Sequence, residues 1–551
     1  MAPLRIALAQ VDTCVGDVAG NGATVLEWTR KAVQEGAALV AFPEMTLTGY
    51  PIEDLALRDS FARAAERTLR RLAADLVAEG LGEAVVVVGT LGRDERGRAT
   101  NRAVVVHRGE VVATYDKHHL PTYGVFDEFR IFSPGHERCV VNVAGRRVGL
   151  VICEDIWQDG GPVSLMDEAE VDLLLVLNGS PYEEGKGHVR SELAARRAGE
   201  VRAPVAYVNM VGGQDDLVFD GGSFVVGADG TPLAGAPQFV EHLLVWDLPD
   251  DGVSPEPGLL AAPLDPDEEV YTALVTGLRG YAHKNGFSSV VFGFSGGIDS
   301  ALAAAIAADA LGGENVVGVS MPSEHSSEHS RDDAKDLAER IGADYRVQPI
   351  APMVDAFRAQ MELPGIAGEN LQARVRGVIV MGLSNVEGHL VLATGNKSEL
   401  AVGYSTIYGD SVGGFAPLKD VDKSRVWRLA RWRNQHALDN GQIPPIPESS
   451  ITKPPSAELS PGQMDTDSLP PYELLDEVLD AYVEHAEGRE ELLARGFDAE
   501  VVDKVLALVD RAEWKRRQYP PGPKVTALAF GRDRRLPVTS RWREPKGPVD
   551  E

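Results

Sequence analysis

The sequence predicts an α/β protein built from two domains. At 551 residues the chain is too long for a single hydrophobic core, so two domains are the natural expectation. Short apolar runs typical of strands alternate with helical patterns in both halves. A proline-rich segment separates the halves. We therefore predict a first domain at residues 1–248, a linker at 249–267 and a second domain at 268–551.

The composition narrows the class of protein. Hydrophobic residues make up 44% of the chain and charged residues 25%, which is ordinary for a globular protein. The formal net charge of −29 argues against a nucleic-acid partner. No run approaches the roughly 20 apolar residues that span a membrane, and MAPLRIALAQVD lacks the basic leader of a signal peptide. Three cysteines offer no disulfide framework, so the cytoplasm is the expected location.

In the first domain, short strand patterns recur with helical patterns between some of them, which predicts a layered α/β domain. The helical patterns are Val25–Gln34 and Phe61–Glu79. Arg108-Gly109 predicts the turn of a hairpin. In chain order, the strand patterns are Leu4–Ala9, Ala37–Phe42, Val85–Thr90, Ala103–His107, Val111–Tyr115, Val148–Ile152, Leu173–Leu177, Val205–Asn209 and Ser223–Gly227.

Three of these strands end on a reactive side chain. Ala37–Phe42 leads to Glu44, Val111–Tyr115 leads to Lys117, and Val148–Ile152 leads to Cys153. Domains of the α/β class place their chemistry at strand ends. Together the three groups suffice for amide hydrolysis. Cys153 attacks as a thiolate, Glu44 moves the proton, and Lys117 stabilises the thiolate and the oxyanion. The structural alternatives are a small core cysteine and two solvated loop charges.

The sequence around these residues carries a family resemblance. FPEM, YDKHHLPTYGVFDE and ICEDIW together resemble the glutaminase domain of the nitrilase superfamily, over nearly all of the first 248 residues. The resemblance implies an αββα sandwich with Cys153 as nucleophile, Glu44 as general base and Lys117 as the third member. The resemblance also implies three glutamine-binding residues, Tyr123, Ser180 and Lys186. A lysine such as Lys186 could equally belong to a polar loop without that role.

The segment between the halves is LPDDGVSPEPGLLAAPLDPD, residues 248–267, with five prolines and two glycines. Proline restricts the backbone, so this composition predicts a linker or a strapped connection. The alternative is an irregular loop packed within one domain. The change of motif family across the segment favours a domain boundary.

The second domain is organised around SSVVFGFSGGIDSALAAAI, residues 288–306. An apolar strand pattern meets Ser295-Gly296-Gly297, and an alanine-rich helical pattern follows from Ser300. Glycines let the backbone approach an anion, and the N–H groups at a helix N-terminus favour negative charge. Asp299 stands where the common nucleoside-triphosphate loop has lysine, which suggests a metal ion at the phosphates. A plain strand-to-helix turn is the alternative.

The rest of this domain shows strands alternating with helices, which predicts a parallel, doubly wound sheet with ligands at the carboxyl ends of its strands. HSSEH at residues 325–329 matches the pattern of inverted zinc peptidases, but it is short and follows a predicted strand end. The strand patterns are Val316–Ser320, Asp344–Val347 and Leu390–Thr394, and the helical ones include Glu269–His283 and Ser330–Ile341.

A second resemblance completes the first. SGGIDS resembles the loop of ATP pyrophosphatases. MPSEHSSEHSRDDA, ENLQARVRG, LATGNKSELAVGYSTIYGDSVGGFAPLKDVDKSRVW, KPPSAEL and KRRQYPPGPKV all resemble NAD synthetases. The whole chain is therefore similar to the glutamine-dependent NAD synthetase family.

The resemblance assigns roles by position. It implies that Mg²⁺ bound with ATP is held by Asp299 and Glu399, although Glu399 could also be a solvated helix carboxylate. Arg374 and Lys524 could equally be surface charges. The implied ATP-binding residues are Gly293, Phe294, Ser295, Gly296, Gly297, Ile298, Asp299, Ser300 and Thr394. The implied deamido-NAD-binding residues are Asn370, Arg374, Glu399, Tyr404, Asp410, Lys419 and Lys524.

The expected activity follows from both resemblances. Glutamine hydrolysis would release ammonia, and an ATP-derived adenylate of deamido-NAD would accept it to give NAD, AMP and pyrophosphate. The resemblance also implies a homo-oligomer whose substrates are glutamine, ATP and deamido-NAD. Two alternatives remain: an adenylating amidotransferase with a different carboxylate or carbonyl acceptor, and an amidase regulated by a nucleotide sensor.

Overall fold

The computed structural model describes residues 3–250, 256–324, 326–460 and 462–545. The chain divides into two compact units, Met1–Leu264 and Asp265–Glu551. Two parts of the sequence predictions lie outside the described residues: positions 251–255 of the predicted linker and His325 of the HSSEH pattern. Within the described ranges, no helix is long and apolar enough to cross a membrane.

The first unit consists mainly of strands. In chain order its elements are β1 (Leu4–Gln10), α1 (Val18–Gln34), β2 (Leu39–Ala41), α2 (Asp59–Ala78), β3 (Val85–Arg93), β4 (Ala99–His107), β5 (Glu110–Asp116), α3 (Glu128–Ile131), β6 (Cys139–Val143), β7 (Arg146–Ile152), α4 (Gly161–Glu168), β8 (Leu173–Asn178), α5 (Lys186–Val201), β9 (Val205–Asn209), β10 (Val211–Gln214), β11 (Leu217–Asp220), β12 (Phe224–Val226), β13 (Pro232–Gly235) and β14 (His242–Leu248).

Two six-stranded sheets of the first unit pack face to face. Their strand orders are β14-β1-β2-β3-β4-β5 and β13-β12-β9-β8-β7-β6, and β10 pairs with β11 in a separate hairpin. Successive side chains of a strand point to opposite faces. Ile6 and Leu8 of one sheet and Leu150 and Ile152 of the other therefore fill the core between the sheets.

The outer face of each sheet is covered by helices. Ala7 and Ala9, which alternate with the inward residues of β1, pack with residues of α1 and α2. Val151 and Val176 pack on the other side of the unit with residues of α4 and α5. This arrangement confirms the αββα sandwich that the family resemblance implied.

The segment after residue 255 stays with the first unit. The Gly258 N–H donates to the Leu233 carbonyl at 2.7 Å, and the Gly235 N–H donates to the Leu259 carbonyl at 2.8 Å. Residues 258–261 thus run beside β13, so the latter part of the predicted linker is strapped to the first unit by backbone hydrogen bonds.

The second unit is richer in helices. In chain order its elements are α6 (Pro266–Lys284), β15 (Val290–Gly293), α7 (Ile298–Leu311), β16 (Val316–Ser320), α8 (Glu328–Ile341), β17 (Asp344–Val347), α9 (Ala351–Arg358), α10 (Ile366–Glu387), β18 (Leu390–Val391), α11 (Lys397–Val402), α12 (Lys423–Asp439), α13 (Glu448–Thr452), α14 (Tyr472–Leu479), α15 (Arg489–Ala494), α16 (Ala499–Arg511) and α17 (Glu513–Arg516).

Four parallel strands form the sheet of the second unit, in the order β17-β16-β15-β18. The chain moves from β15 to β16 and β17 on one side and then returns to place β18 on the other. The crevice where the order reverses, beyond the carboxyl ends of β15 and β18, is where open α/β sheets bind ligands. The predicted parallel, doubly wound sheet is confirmed. Residues of α11, α14 and α16 form a separate apolar cluster around Leu400, Leu475 and Val505.

Candidate active sites

The first candidate site lies where strands of the first unit end. Glu44 follows β2, Lys117 follows β5, and Cys153 follows β7. Cys153 opens a short 3₁₀ turn, Cys153–Ile156, with a backbone φ of 45°, a left-handed conformation that non-glycine residues rarely adopt. Because α/β folds present chemistry at strand ends, this turn is a suitable position for a nucleophile.

Lys117 forms the centre of a buried ion network. Its Nζ lies 2.8 Å from Glu44 Oε1 and 2.8 Å from Glu128 Oε2, and all three side chains are almost fully buried. Glu44 is also fixed by two other donors, since Asn101 Nδ2 donates to Oε1 at 2.6 Å and the Gly179 N–H donates to Oε2 at 2.8 Å. Buried charges are costly unless they are paired, and the Lys117 ammonium pairs with both carboxylates.

Glu128 is a member of the network that the sequence prediction did not single out. It is the last residue of the string YDKHHLPTYGVFDE, so the signal was present without a role attached to it. Burial and the neighbouring Glu44 raise the pKa of Glu128 to about 7, while Lys117 opposes the shift. A carboxyl that changes its charge near neutral pH beside an ammonium is typical of a catalytic site.

Cys153 shares this electrostatic environment. Burial and Glu44 raise the pKa of the Cys153 thiol above its usual value, while Lys117 lowers it. The resting group is therefore a thiol, and the predicted thiolate has to form by loss of its proton to a neighbouring base during attack. Glu44 is the neighbouring carboxylate that acts most strongly on the thiol, which makes it the candidate base for that proton.

The three predicted glutamine-binding residues lie in different surroundings. The Tyr123 hydroxyl donates to Glu154 Oε2 at 2.8 Å, next to the nucleophile in sequence. Ser180 is buried, and its Oγ accepts from Arg190 Nε at 3.1 Å. Lys186 is partly buried and begins α5, where its backbone N–H donates to the Glu183 carbonyl at 3.0 Å.

The second candidate site is the turn between β15 and α7. Gly296 has a φ of +76°, and a Cβ there would lie 2.3 Å from the Ser330 carbonyl oxygen, so the turn requires glycine. Ser300 Oγ donates to the Gly297 carbonyl at 2.9 Å and lies 3.0 Å from Ser295 Oγ. These hydrogen bonds hold the turn, which leads directly into a fourteen-residue helix whose first N–H groups favour an anion.

A cavity of about 300 Å³ opens beside this turn. Eleven predicted nucleotide-site residues line it: Gly293, Phe294, Ser295, Gly297, Ile298, Asp299, Ser300, Thr394, Glu399, Tyr404 and Asp410.

Five predicted residues do not line the cavity. Gly296 supports the turn from behind, where its carbonyl accepts from Ser450 Oγ at 3.1 Å. Asn370 Oδ1 accepts from Thr406 Oγ1 at 2.8 Å, and Arg374 Nε donates to the Ile407 carbonyl at 3.2 Å, so both contact the segment that carries Tyr404 and Asp410. The other two are Lys419 and Lys524, the latter buried and paired with Asp533 at 3.3 Å.

Asp299 and Glu399 both form an ion pair with the ammonium group of Lys423. Lys423 Nζ lies 2.5 Å from Asp299 Oδ2 and 3.2 Å from Glu399 Oε1. Asn396 holds both acids, because its Nδ2 donates to Asp299 Oδ1 at 2.8 Å and its Oδ1 accepts from the Glu399 N–H at 3.0 Å. Burial and Asp299 raise the pKa of Glu399 to about 7, and Lys423 opposes the shift.

This donor set fits magnesium. Mg²⁺ is usually held by one or two carboxylates together with substrate phosphates, and two carboxylates converge here beside a phosphate-type turn. Sequence reasoning did not single out several further residues that line the cavity, although most of the four named here lie in strings it had recognised. They are Lys423, Lys453, Asp465 and Tyr519. Of these, Asp465 accepts a hydrogen bond from the Tyr472 hydroxyl at 2.8 Å.

Comparison with known proteins finds a family model for each unit and relatives that cover the whole chain. A family model described as carbon-nitrogen hydrolase matches residues 5–255, and one described as NAD synthase matches residues 270–519. The glutamine-dependent NAD(+) synthetase of Acinetobacter baylyi is 44% identical over 98% of this chain and 99% of that protein. The one from Thermotoga maritima is 43% identical over 99% and 100%. A solved structure of the Acinetobacter baumannii enzyme with adenosine diphosphate shows 41% identity and a TM-score of 0.78, covering 99% of this chain and 100% of that one.

Proposed function

Because the chain belongs to the family of glutamine-dependent NAD(+) synthetases, we propose that it hydrolyses glutamine in its first unit and amidates deamido-NAD in its second. The overall reaction consumes glutamine, deamido-NAD, ATP and water. It yields NAD, glutamate, AMP and pyrophosphate. One observation carries the proposal: a single chain holds both a buried Cys153 beside the Glu44–Lys117–Glu128 network and a phosphate-type turn at the reversal point of a parallel sheet.

In the first unit, Cys153 is the nucleophile. As its Sγ attacks the side-chain amide carbon of glutamine, the thiol proton passes to Glu44. Glu44 then gives the proton to the departing nitrogen, and ammonia leaves a glutamyl thioester. Water, deprotonated by Glu44, hydrolyses the thioester to glutamate and restores the thiol. Lys117 stabilises the oxyanion that forms in each attack. Tyr123, Ser180 and Lys186 bind glutamine.

In the second unit, the turn at Ser295–Ser300 holds the phosphates of ATP through its N–H groups and hydroxyls. The carboxylate of deamido-NAD attacks the α-phosphorus, pyrophosphate leaves, and ammonia displaces AMP from the resulting adenylate. Lys423 balances part of the negative charge of Asp299 and Glu399 beside the phosphates. The adenosine diphosphate bound by the Acinetobacter baumannii relative supports an adenine nucleotide as ligand.

Asp299 and Glu399 would hold Mg²⁺, which supplies positive charge at the phosphates when bound. Of the residues assigned to deamido-NAD, Glu399, Tyr404 and Asp410 line the cavity. Asn370 and Arg374 contact the segment that carries Tyr404 and Asp410. Binding of deamido-NAD by Lys419 and Lys524, a homo-oligomeric state and a cytoplasmic location stay predictions.

The test is to separate the two activities. Cys153→Ala should abolish NAD synthesis driven by glutamine and leave synthesis driven by added ammonium intact, because the second unit keeps its own site. Cys139→Ala is the matched control: this thiol is also buried, on β6, and is expected to leave both activities in place.

Two results would contradict the proposal. If Cys153→Ala lost both activities while remaining folded, the two sites would not be separable. If the wild-type protein, supplied with ammonium and deamido-NAD, released ADP and orthophosphate in place of AMP and pyrophosphate, the second unit would not form an adenylate.

A further inference from the structure

Tyr50 lies directly behind the ion network of the first unit. It is six residues after Glu44, it is 3% exposed, and its hydroxyl donates to Glu128 Oε1 at 2.9 Å. The ring is held by packing on two sides. It meets the Phe219 ring edge-on with centroids 6.4 Å apart, and a Cβ at Gly179 would lie 2.8 Å from Tyr50 Cδ1. The hydroxyl is therefore held in a fixed position relative to Glu128.

The two carboxylates that flank Lys117 are supported unequally. Glu44 accepts from Lys117, from Asn101 and from the Gly179 N–H. Among the residues that the structure describes, the Glu128 carboxyl forms an ion pair with Lys117 through Oε2 and accepts a hydrogen bond from Tyr50 through Oε1. A buried carboxylate with few donors is costly to ionise, so each donor counts for more.

We propose that Tyr50 is a positioning residue for the glutaminase reaction: its hydroxyl holds the Glu128 carboxylate in its ionised form against Lys117. This inference rests on the proposed function of the first unit. Nothing in the reaction requires Tyr50 to contact glutamine. Its effect passes through Glu128 to Lys117, the group that stabilises the oxyanion.

The proton balance of the site explains why this matters. Lys117, Glu44 and Tyr50 face Glu128, and the Cys153 thiol lies beyond Lys117. With Glu128 ionised, two carboxylates orient and stabilise the Lys117 ammonium. When Glu128 is protonated, its ion pair with Lys117 is lost and only Glu44 remains as a charged partner of the ammonium. Because burial raises the pKa of Glu128 to about 7, both forms are populated near neutral pH, and a donor to the carboxylate favours the ionised form.

The experiment is the pH profile of glutamine hydrolysis by the full-length protein. Tyr50→Phe removes one hydroxyl and keeps the ring. We expect the acidic limb of the pH–rate profile of Tyr50→Phe to move to higher pH by about 0.5–1 unit. This is the shift produced when a carboxylate loses a hydrogen bond worth about 1 kcal/mol. At pH values well above the limb, where Glu128 is ionised in both proteins, the rates should converge.

Tyr115→Phe is the matched control. Tyr115 is also buried, and its hydroxyl donates to Asp155 Oδ2 at 2.7 Å in the same unit. The control also loses a tyrosine hydroxyl that donates to a buried carboxylate, but that carboxylate is not Glu128. The acidic limb of its pH–rate profile should therefore stay at the wild-type position. A second variant should shift the profile in the opposite direction. A ring-fluorinated tyrosine at position 50 is a stronger hydrogen-bond donor, so the acidic limb of its pH–rate profile should move to lower pH.

The outcomes separate this inference from the proposed function. If the wild-type protein did not hydrolyse glutamine, the proposed function would fail. A wild-type protein that hydrolyses glutamine, with Tyr50→Phe and the fluorinated protein giving the same limb as wild type, would overturn the role of Tyr50. Synthesis driven by ammonium should be unchanged in every variant, which also reports that each protein is folded.

Discussion

The Nζ atom of Lys423 lies 2.5 Å from Oδ2 of Asp299, which joins the first residue of α12 to the first turn of α7. The two residues are 124 positions apart in the chain. Lys423 Nζ also lies 5.2 Å from the centroid of the Tyr472 ring, close enough for a cation–π contact. The carboxylate that follows the glycine turn is therefore compensated by the protein itself before any substrate binds.

Lys423→Met should abolish NAD synthesis from ammonium and destabilise the second unit. It leaves Asp299 and Glu399, whose side chains are 19% and 18% exposed, as neighbouring anions without their shared ammonium partner, and such a loss costs about 3–5 kcal/mol when the pair is fully buried. Thermal unfolding and the rate of AMP release would measure the two effects. Lys335→Met serves as control, because Lys335 lies on the exposed side of α8 and pairs only weakly with Glu339 at 3.7 Å. A Lys423→Met protein with wild-type stability would contradict the argument.

Gly296→Ala should destroy the synthetase activity and spare glutamine hydrolysis. The substitution places a methyl group 2.3 Å from a backbone oxygen at a φ of +76°, so strain of about 1–3 kcal/mol adds to a clash that the backbone must move to relieve. Parallel assays of both activities would check this outcome. Gly382→Ala on α10 is the matched control, since a Cβ there meets nothing within 4 Å and alanine favours a helix. Equal synthetase activity in the two variants would disprove the assigned geometry.

Glu128→Gln should lower glutamine hydrolysis about 10–100-fold, the effect of losing an ion pair with Lys117 worth about 1.5–3 kcal/mol. The pH dependence provides a sharper test. In the wild-type protein Glu128 is mostly protonated below pH 7 and ionised above it, so hydrolysis should rise as the pH increases through that value.

The neutral glutamine side chain cannot ionise, so this rise should be absent from the Glu128→Gln profile. Glu137→Gln, which alters an exposed acid nearby in sequence, is expected to keep the wild-type profile. If Glu128→Gln kept the rise near pH 7, the titrating group would be another residue.

Local patterns predicted most of the strands. Val205–Asn209 and Val316–Ser320 lie where the apolar runs placed them, because buried strands are continuous apolar segments bounded by turn residues. The start of α1 was missed. The prediction began at Val25, whereas the helix begins at Val18 and includes Gly20 and Gly22. Asp17 caps it by accepting from the Gly20 N–H, and Gly22 allows close packing against Thr68 of α2.

Tertiary geometry decided what the sequence could not. Glu128 and Lys423 both lie inside strings that the family resemblance had marked, yet nothing local distinguishes them from solvated charges. Their importance follows from burial beside a partner far away in sequence, Lys117 in one case and Asp299 in the other. Arg374 is a different case: it contacts the Ile407 carbonyl and is not among the residues that line the cavity, so its contact with deamido-NAD stays a prediction.

The left-handed backbone at Cys153 has an evolutionary consequence. A φ of 45° is unfavourable for any residue with a side chain, by roughly 1 kcal/mol, and glycine alone is largely free of that cost. The fold therefore keeps a cysteine at a position whose backbone conformation favours glycine, because the reaction needs the thiol. In a lineage that came to live on free ammonium, selection would no longer retain the thiol, and drift at this position should favour glycine over alanine or serine.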